Sequence, residues 1–194
     1  MPSKTKTKST SLSRKRPVND RSLAAKAKKI KLLIVDVDGV MTDGSIILDN
    51  NGIEYKRFNV RDGHGIKLLQ RYGIDTAIIT GRISKVVDIR AKELGIKHVY
   101  QRCLNKVVPY DDLKKKLSLN DNEIAYIGDD VVDIPLFNRV GLSVAVADAH
   151  KDVIKYVDMV TKEAGGKGAV RSTCDYILSK QGIYKGVIDG YSKA

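Results

Sequence analysis

The sequence predicts an α/β protein: a Rossmann-like open parallel sheet with helices on both faces. Three observations carry that expectation. Short apolar runs recur from residue 31 onward and are near-continuous rather than alternating, as suits strands covered on both faces. Amphipathic stretches lie between them, several ending at a glycine. The chain has 194 residues, 42% hydrophobic and 30% charged, enough for one domain with a full core.

The first strand is LLIVDV (32–37), followed by a segment that interrupts the β-α rhythm. Residues 44–60, GSIILDNNGIEYKRFNV, form two short strands around Asn-Asn-Gly, a good hairpin turn. A helix is expected over 65–73, a strand over 76–80, a helix over 85–95 and a strand over 98–101. Then come a helix over 107–118, strand IAYIG (124–128), a helix over 131–141 and strand LSVAVA (142–147). Gly73, Gly95 and Gly141 suit residues just past helix ends, and Pro109 and Pro135 fall near helix starts. Gly165, Gly166 and Gly168 read as a flexible Gly-rich tail beginning near 164, and 169–180 as a final helix. The expected domain spans 30–182.

Charge divides the chain. The net charge is +12, but residues 1–31 hold 11 Lys/Arg against the single acid Asp20, and the remainder holds 24 against 22. Between Pro2 and Lys29 the only apolar side chains larger than alanine, proline aside, are Leu12, Val18 and Leu23. Residues 1–25 are therefore expected to be a basic, disordered extension, with a weak option as an electrostatic arm for RNA or anionic membrane. A nucleic-acid partner is not expected, because the body is near neutral and the extension lacks interleaved aromatics. No apolar stretch suits a signal peptide or a membrane span. Cys103 and Cys174 form no metal spacing and read as free thiols of a cytoplasmic protein.

Ligands of open parallel sheets bind at the carboxyl ends of the strands. There the sequence places Asp36 and Asp38, Thr80-Gly81-Arg82, Lys106, Gly128-Asp129-Asp130 and, shortly after, Asp133. Clustered carboxylates repel unless protonated or neutralised, and oxygen-only donors suit Mg²⁺ together with a phosphate. Thr80 and Lys106 could hold a phosphoryl group, one carboxylate could attack it, and Asp38 could move protons. Singly, each residue has an ordinary explanation. Asp36 suits a strand-end cap, Thr80 a β-former, Lys106 a surface lysine, and Asp130 and Asp133 helix N-terminal charges.

Together, DVDGV (36–40), IITGR (78–82), Lys106 and GDDVVD (128–133) resemble the haloacid dehalogenase superfamily in order and placement. The resemblance implies a Mg²⁺-dependent phosphohydrolase with Asp36 as nucleophile and Asp38 as general acid/base. It implies that Thr80 and Lys106 bind phosphate, and that Asp36, the Asp38 carbonyl and Asp129 hold the metal. No segment is long enough for a cap domain, so the site is expected to be open; the resemblance implies a homotetramer in which a neighbouring subunit helps cover it, with the hairpin and the Gly-rich tail as the candidates here.

Within that superfamily, FNVRDGHGIKLL (58–69), ITGR, GLSVAVADAH (141–150) and AGGKGAVR (164–171) resemble the phosphatases of 3-deoxy-D-manno-octulosonate 8-phosphate (Kdo 8-phosphate), a step of lipopolysaccharide precursor synthesis. That resemblance implies a sugar-acid substrate lined by Asp38, Asn59, Val60, Arg61, Asp62, Gly63, Lys67, Arg82, Arg90 and Lys106. Arg61 and Arg82 suit bidentate recognition of carboxylate or phosphate. His64 stands where an aromatic is expected and reads as a surface histidine. The alternatives are a phosphatase for N-acylneuraminate or KDN 9-phosphate, an inactive regulatory or nucleic-acid-binding protein on the same fold, and a polynucleotide 3′-phosphatase.

Overall fold

The computed structural model describes residues 20–193. In chain order it forms α1 (Asp20–Ala27), β1 (Leu32–Val35), β2 (Ile47–Leu48), β3 (Glu54–Tyr55), α2 (Val60–Arg71), β4 (Asp75–Ile79), α3 (Lys85–Leu94) and β5 (His98–Tyr100). There follow α4 (Val107–Lys116), β6 (Ile124–Gly128), α5 (Ile134–Phe137), β7 (Leu142–Ala145), β8 (Met159–Val160), α6 (Ala169–Lys180) and α7 (Tyr184–Ser192).

Six strands form one sheet in the order β5-β4-β1-β6-β7-β8, and every pairing in it is parallel. β1 is central: Leu32 is in register with Asp75 on one side and Ile124 on the other. Alternate residues of β1 feed opposite cores, as the strand's period of two requires. Leu33 and Val35 pack into the layer that holds α2 and α6, while Leu32 and Ile34 pack into the layer with Tyr110 of α4 and Phe137 of α5. All four are buried, which explains why the run is continuously apolar.

The hairpin β2–β3 stands apart as a two-stranded antiparallel sheet, and it is all that separates the β1 loop from α2. The domain is therefore capless. Asn59 caps α2, its side chain accepting from the Arg61 N–H at 2.8 Å, so the helix begins at Val60, ahead of the expected 65. The polar, Gly-containing first turn VRDGHG carries no apolar period and hid that start.

Other boundaries differ too. The expected helix over 131–141 is a 3₁₀ turn, Val131–Asp133, followed by one turn of α5. Gly141 is no left-handed terminator: a Cβ there would lie 2.6 Å from the Asn122 backbone, so close packing requires the glycine. α1, α7 and β8 lie beyond the expected elements. α1 overlaps the end of the expected 1–25 extension: Ala27 is buried and Lys26 Nζ pairs with Asp158 at 2.6 Å. Residues 1–19 lie outside the described residues.

The Gly-rich segment is packed rather than free. The Gly166 N–H donates to the Val40 carbonyl at 2.9 Å, and the Gly165 N–H donates to Asp148 Oδ1 at 2.9 Å. A Cβ on Gly165 would collide with the Gly39 carbonyl oxygen. The two glycines thus strap down the loop after β1. Among the described residues, no helix is long and apolar enough to cross a membrane.

Candidate active site

The chain leaves β1 to build β4 and β5 on one side, then returns to build β6 on the other. This reversal makes a crevice at the carboxyl ends of β1 and β6. Asp36 directly follows β1, and its N–H extends the ladder to the Ile127 carbonyl at 3.1 Å. Gly39 turns the chain away with φ of 80°, and a Cβ there would run into the Asp129 carboxylate. A cleft of about 340 Å³ opens here, lined among others by Asp36, Asp38, Thr80, Arg82, Lys106 and Asp129.

Lys106, the residue before α4, is 3% exposed. Its Nζ donates to Asp36 Oδ2 at 2.5 Å, to Asp133 Oδ1 at 2.6 Å and to the Tyr126 hydroxyl at 3.0 Å. The Tyr126 hydroxyl donates in turn to Asp133 Oδ1 at 2.6 Å. Asp133 Oδ2 accepts the N–H groups of Asp129 and Asp130 at 2.9 and 3.1 Å. Burial alone would depress the Lys106 ammonium, but Asp36 and Asp133 outweigh it and raise its pKa. Lys106 is therefore a fixed positive charge directed at Asp36.

Carboxylate oxygens of Asp36, Asp129 and Asp133 lie within 4.8 Å of one another. Both oxygens of Asp133 are engaged by the donors just named, so it fits as a support rather than a ligand. Burial, then the charges of Asp36 and Asp133, push Asp129 up to about 8. Burial also pushes Asp36 up, against the opposing pull of Lys106. Carboxylates under such pressure to protonate would be relieved by a divalent cation, and the all-oxygen donor set suits a hard one.

Asp38 sits across the cleft from this hub, in contact with the hairpin. Its Oδ1 pairs with the Lys56 ammonium and lies 3.7 Å from Arg82 Nη1. Glu54 completes the group, 2.7 Å from Arg82 Nη2 and 3.3 Å from Lys56 Nζ. Thr80, at the end of β4, is 2% exposed, and its backbone is held by Tyr100 and Cys103.

The remaining expected substrate residues form a second cluster away from the cleft lining. Asn59 is occupied as the α2 cap and reaches the Gly166 carbonyl at 3.4 Å. Asp62, in the first turn of α2, is buried against the start of α6, where its Oδ1 accepts the Arg171 N–H at 2.7 Å. Burial raises its pKa despite that help. A Cβ on Gly63 would crowd the Arg90 guanidinium, which lies 5.6 Å from the Phe58 ring centre and pairs with Glu93 at 2.8 Å. Val60 is 80% exposed, Arg61 is exposed, and Lys67 lies beside Gly95. His64 is exposed and meets Tyr191 of α7 at 3.5 Å.

A family model described as haloacid dehalogenase-like hydrolase matches residues 77–171. The 3-deoxy-D-manno-octulosonate 8-phosphate phosphatase KdsC of Escherichia coli K12 is 53% identical over 158 residues, 81% of this chain and 84% of that protein. The chain belongs to the Kdo 8-phosphate phosphatase family. Solved structures of the Kdo 8-phosphate phosphatase family agree in fold. The enzyme from Yersinia pestis superposes with a TM-score of 0.84 at 50% identity, covering 85% of this chain and 89% of that one. The enzyme from Moraxella catarrhalis, solved with magnesium ion, phosphate ion and Kdo, gives a TM-score of 0.87 at 41% identity, covering 89% and 99%.

Four residues of this Kdo 8-phosphate phosphatase family member were not singled out for the site by sequence: Tyr126, Asp133 as the Lys106 support, Glu54 and Lys56. Asp133 was placed at the rim, within GDDVVD, but its pairing with Lys106 was not visible. Glu54 and Lys56 carried a signal in the strand period of two, which puts both on one face while Tyr55, between them, is 53% exposed.

Proposed function

We propose that the chain is a Mg²⁺-dependent phosphomonoesterase that hydrolyses Kdo 8-phosphate to Kdo and inorganic phosphate through an aspartyl-phosphate. The observation that carries this reading is the buried hub in which Lys106 bridges Asp36 and Asp133 beside Asp129, in a chain of this family. Asp36 and Asp129, with the Asp38 carbonyl, would hold Mg²⁺, which when bound supplies positive charge to phosphate oxygens.

The chain's own groups supply the rest. Thr80 and Lys106 seat the phosphoryl group against Asp36. An Asp36 oxygen bonds to phosphorus as the bond to the sugar oxygen breaks, and Asp38 gives that oxygen a proton. Asp38 then takes a proton from the water that attacks phosphorus and frees Asp36. Arg82, at the mouth, suits the substrate carboxylate.

Coverage of the cleft fits a homotetramer. The hairpin leaves Ile46, Leu48, Ile53 and Tyr55 more than half exposed, and Leu104 beside the cleft is 90% exposed. Such surfaces are normally covered by a partner. In that assembly, Asn59 to Gly63, Lys67 and Arg90 would serve the cleft of a neighbouring copy. Two free cysteines accord with a cytoplasmic protein.

The test is phosphate release from Kdo 8-phosphate, N-acylneuraminate 9-phosphate and KDN 9-phosphate, with Mg²⁺ and with EDTA. The expected result is a Mg²⁺-dependent preference for Kdo 8-phosphate that Asp36→Asn abolishes without unfolding the chain. Preference for a nine-carbon substrate overturns the substrate assignment, and turnover by the Asp36→Asn variant overturns the nucleophile.

A further inference from the structure

The hairpin brings a charged group against the acid/base that none of the steps above uses. The Lys56 side chain is 1% exposed although its backbone belongs to a projecting hairpin. Its ammonium pairs with Asp38 Oδ1 and lies 3.3 Å from Glu54 Oε1. Burying an ammonium costs several kcal/mol unless it is paired. Here the partner is Asp38 itself. A plain anchor for the hairpin exists separately: Arg57, 69% exposed along its side chain, pairs with Asp43.

We propose that Lys56 is a positioning residue that fixes the direction in which Asp38 presents its carboxyl group. The inference rests on Asp38 acting as acid/base, as argued above. In the first half-reaction the Asp38 proton goes to the departing sugar oxygen as Asp36 bonds to phosphorus. In the second, Asp38 accepts a proton from water while the Asp36–phosphorus bond breaks. Asp38 must reach two different oxygens from a loop, with a side chain 23% exposed. Pairing to a buried, immobile ammonium removes the rotamers that turn out to solvent. Arg82 and Glu54 close the ring around the pair, so the aim of Asp38 is coupled to the group expected to meet the substrate carboxylate.

The experiment is steady-state kinetics of the full chain with Mg²⁺, comparing the parent, K56M, K56Q, K56R and the hairpin-anchor control R57A. Each is assayed on Kdo 8-phosphate and on p-nitrophenyl phosphate, whose leaving group departs without needing a proton. For K56M, kcat on Kdo 8-phosphate is expected to fall about 10²-fold, the loss that a misplaced group brings. KM should move less than about threefold, as for an interaction made in the transition state. The loss in kcat/KM on p-nitrophenyl phosphate should be about tenfold smaller, K56R should recover most of the activity, and R57A should match the parent. Equal losses on both substrates, an effect on KM alone, or an R57A as impaired as K56M overturns the proposal. If K56M fails to melt cooperatively, the same readouts are taken from K56Q. A parent inert toward Kdo 8-phosphate removes the reading of the site itself, whereas an active parent with an unimpaired K56M removes only this inference.

Discussion

Lys106 Nζ lies 2.6 Å from Asp133 Oδ1, and the Asp133 side chain is fully shut off from solvent. The pair joins the start of α4 to the turn after β6, and Asp133 also holds the two amides that follow β6. Removing one member of a buried pair strands the other charge and costs about 3–5 kcal/mol. Asp133→Ala is therefore expected to lower stability by that order in urea unfolding and to lose activity with it. Asp133→Asn, which keeps the size and one acceptor, should retain more of both. Unchanged unfolding of Asp133→Ala would remove Asp133 as the hub's support.

The metal-free protein should lose stability as pH rises. Burial and two neighbouring carboxylates raise Asp129 from 3.8 to about 8 in the folded state. Between those values the folded chain holds a proton that the unfolded chain has released, so the contribution of Asp129 is complete below about pH 4 and is lost as pH rises through about 8. Mg²⁺ held there would compete with that proton and relieve the same repulsion. The difference between melting temperatures in Mg²⁺ and in EDTA is thus expected to widen from about pH 5 to about pH 8. A gap that is constant or narrows would exclude Asp129 as the group that metal relieves.

Gly165→Ala should cripple the enzyme from the far end of the chain. The added methyl would collide with the Gly39 carbonyl oxygen, in the loop that carries Asp38. Overpacking a filled site costs about 1–3 kcal/mol, and the loop is the part free to yield. The expected outcome is a lower melting temperature together with a kcat loss larger than the stability loss explains. Full activity at a temperature where the variant is folded would mean that the strap does not align the loop.

Deleting residues 1–19 is expected to leave kcat/KM unchanged, because every residue assigned to the site lies at or beyond Asp36. Deleting 1–29 should destabilise the domain, since that cut removes buried Ala27 and the Lys26–Asp158 pair. A salt-dependent loss of activity in the shorter deletion would return the basic extension to the site.

The central strands were legible because β1 and β6 are buried throughout and near-continuously apolar, and β4 is so from Ala77 to Ile79. Asp36, Asp38, Thr80, Arg82, Lys106 and Asp129 were legible as site candidates because a parallel sheet carries its strand ends to one rim. Lys56 and Tyr126 were not, since their partners sit 18 and 20 residues away and only the packed fold reveals the pairing. α1, with sequence DRSLAAKA, lacks an apolar face strong enough to announce itself. Composition misled over residues 164–168: glycine permits looseness, but it equally permits two backbones to touch, and here the second property governs.

That touch has a consequence for how the protein comes into being. The loop bearing Asp38 is made early, but Gly165 and Gly166, which pin it, are made near the end, and the central strand waits for β6 to complete its pairing. A chain that ends before the strap keeps Asp36 and Asp38 but lacks the glycines that hold their loop. A chain cut short before residue 164 is therefore expected to release no phosphate, since nothing is left to hold that loop.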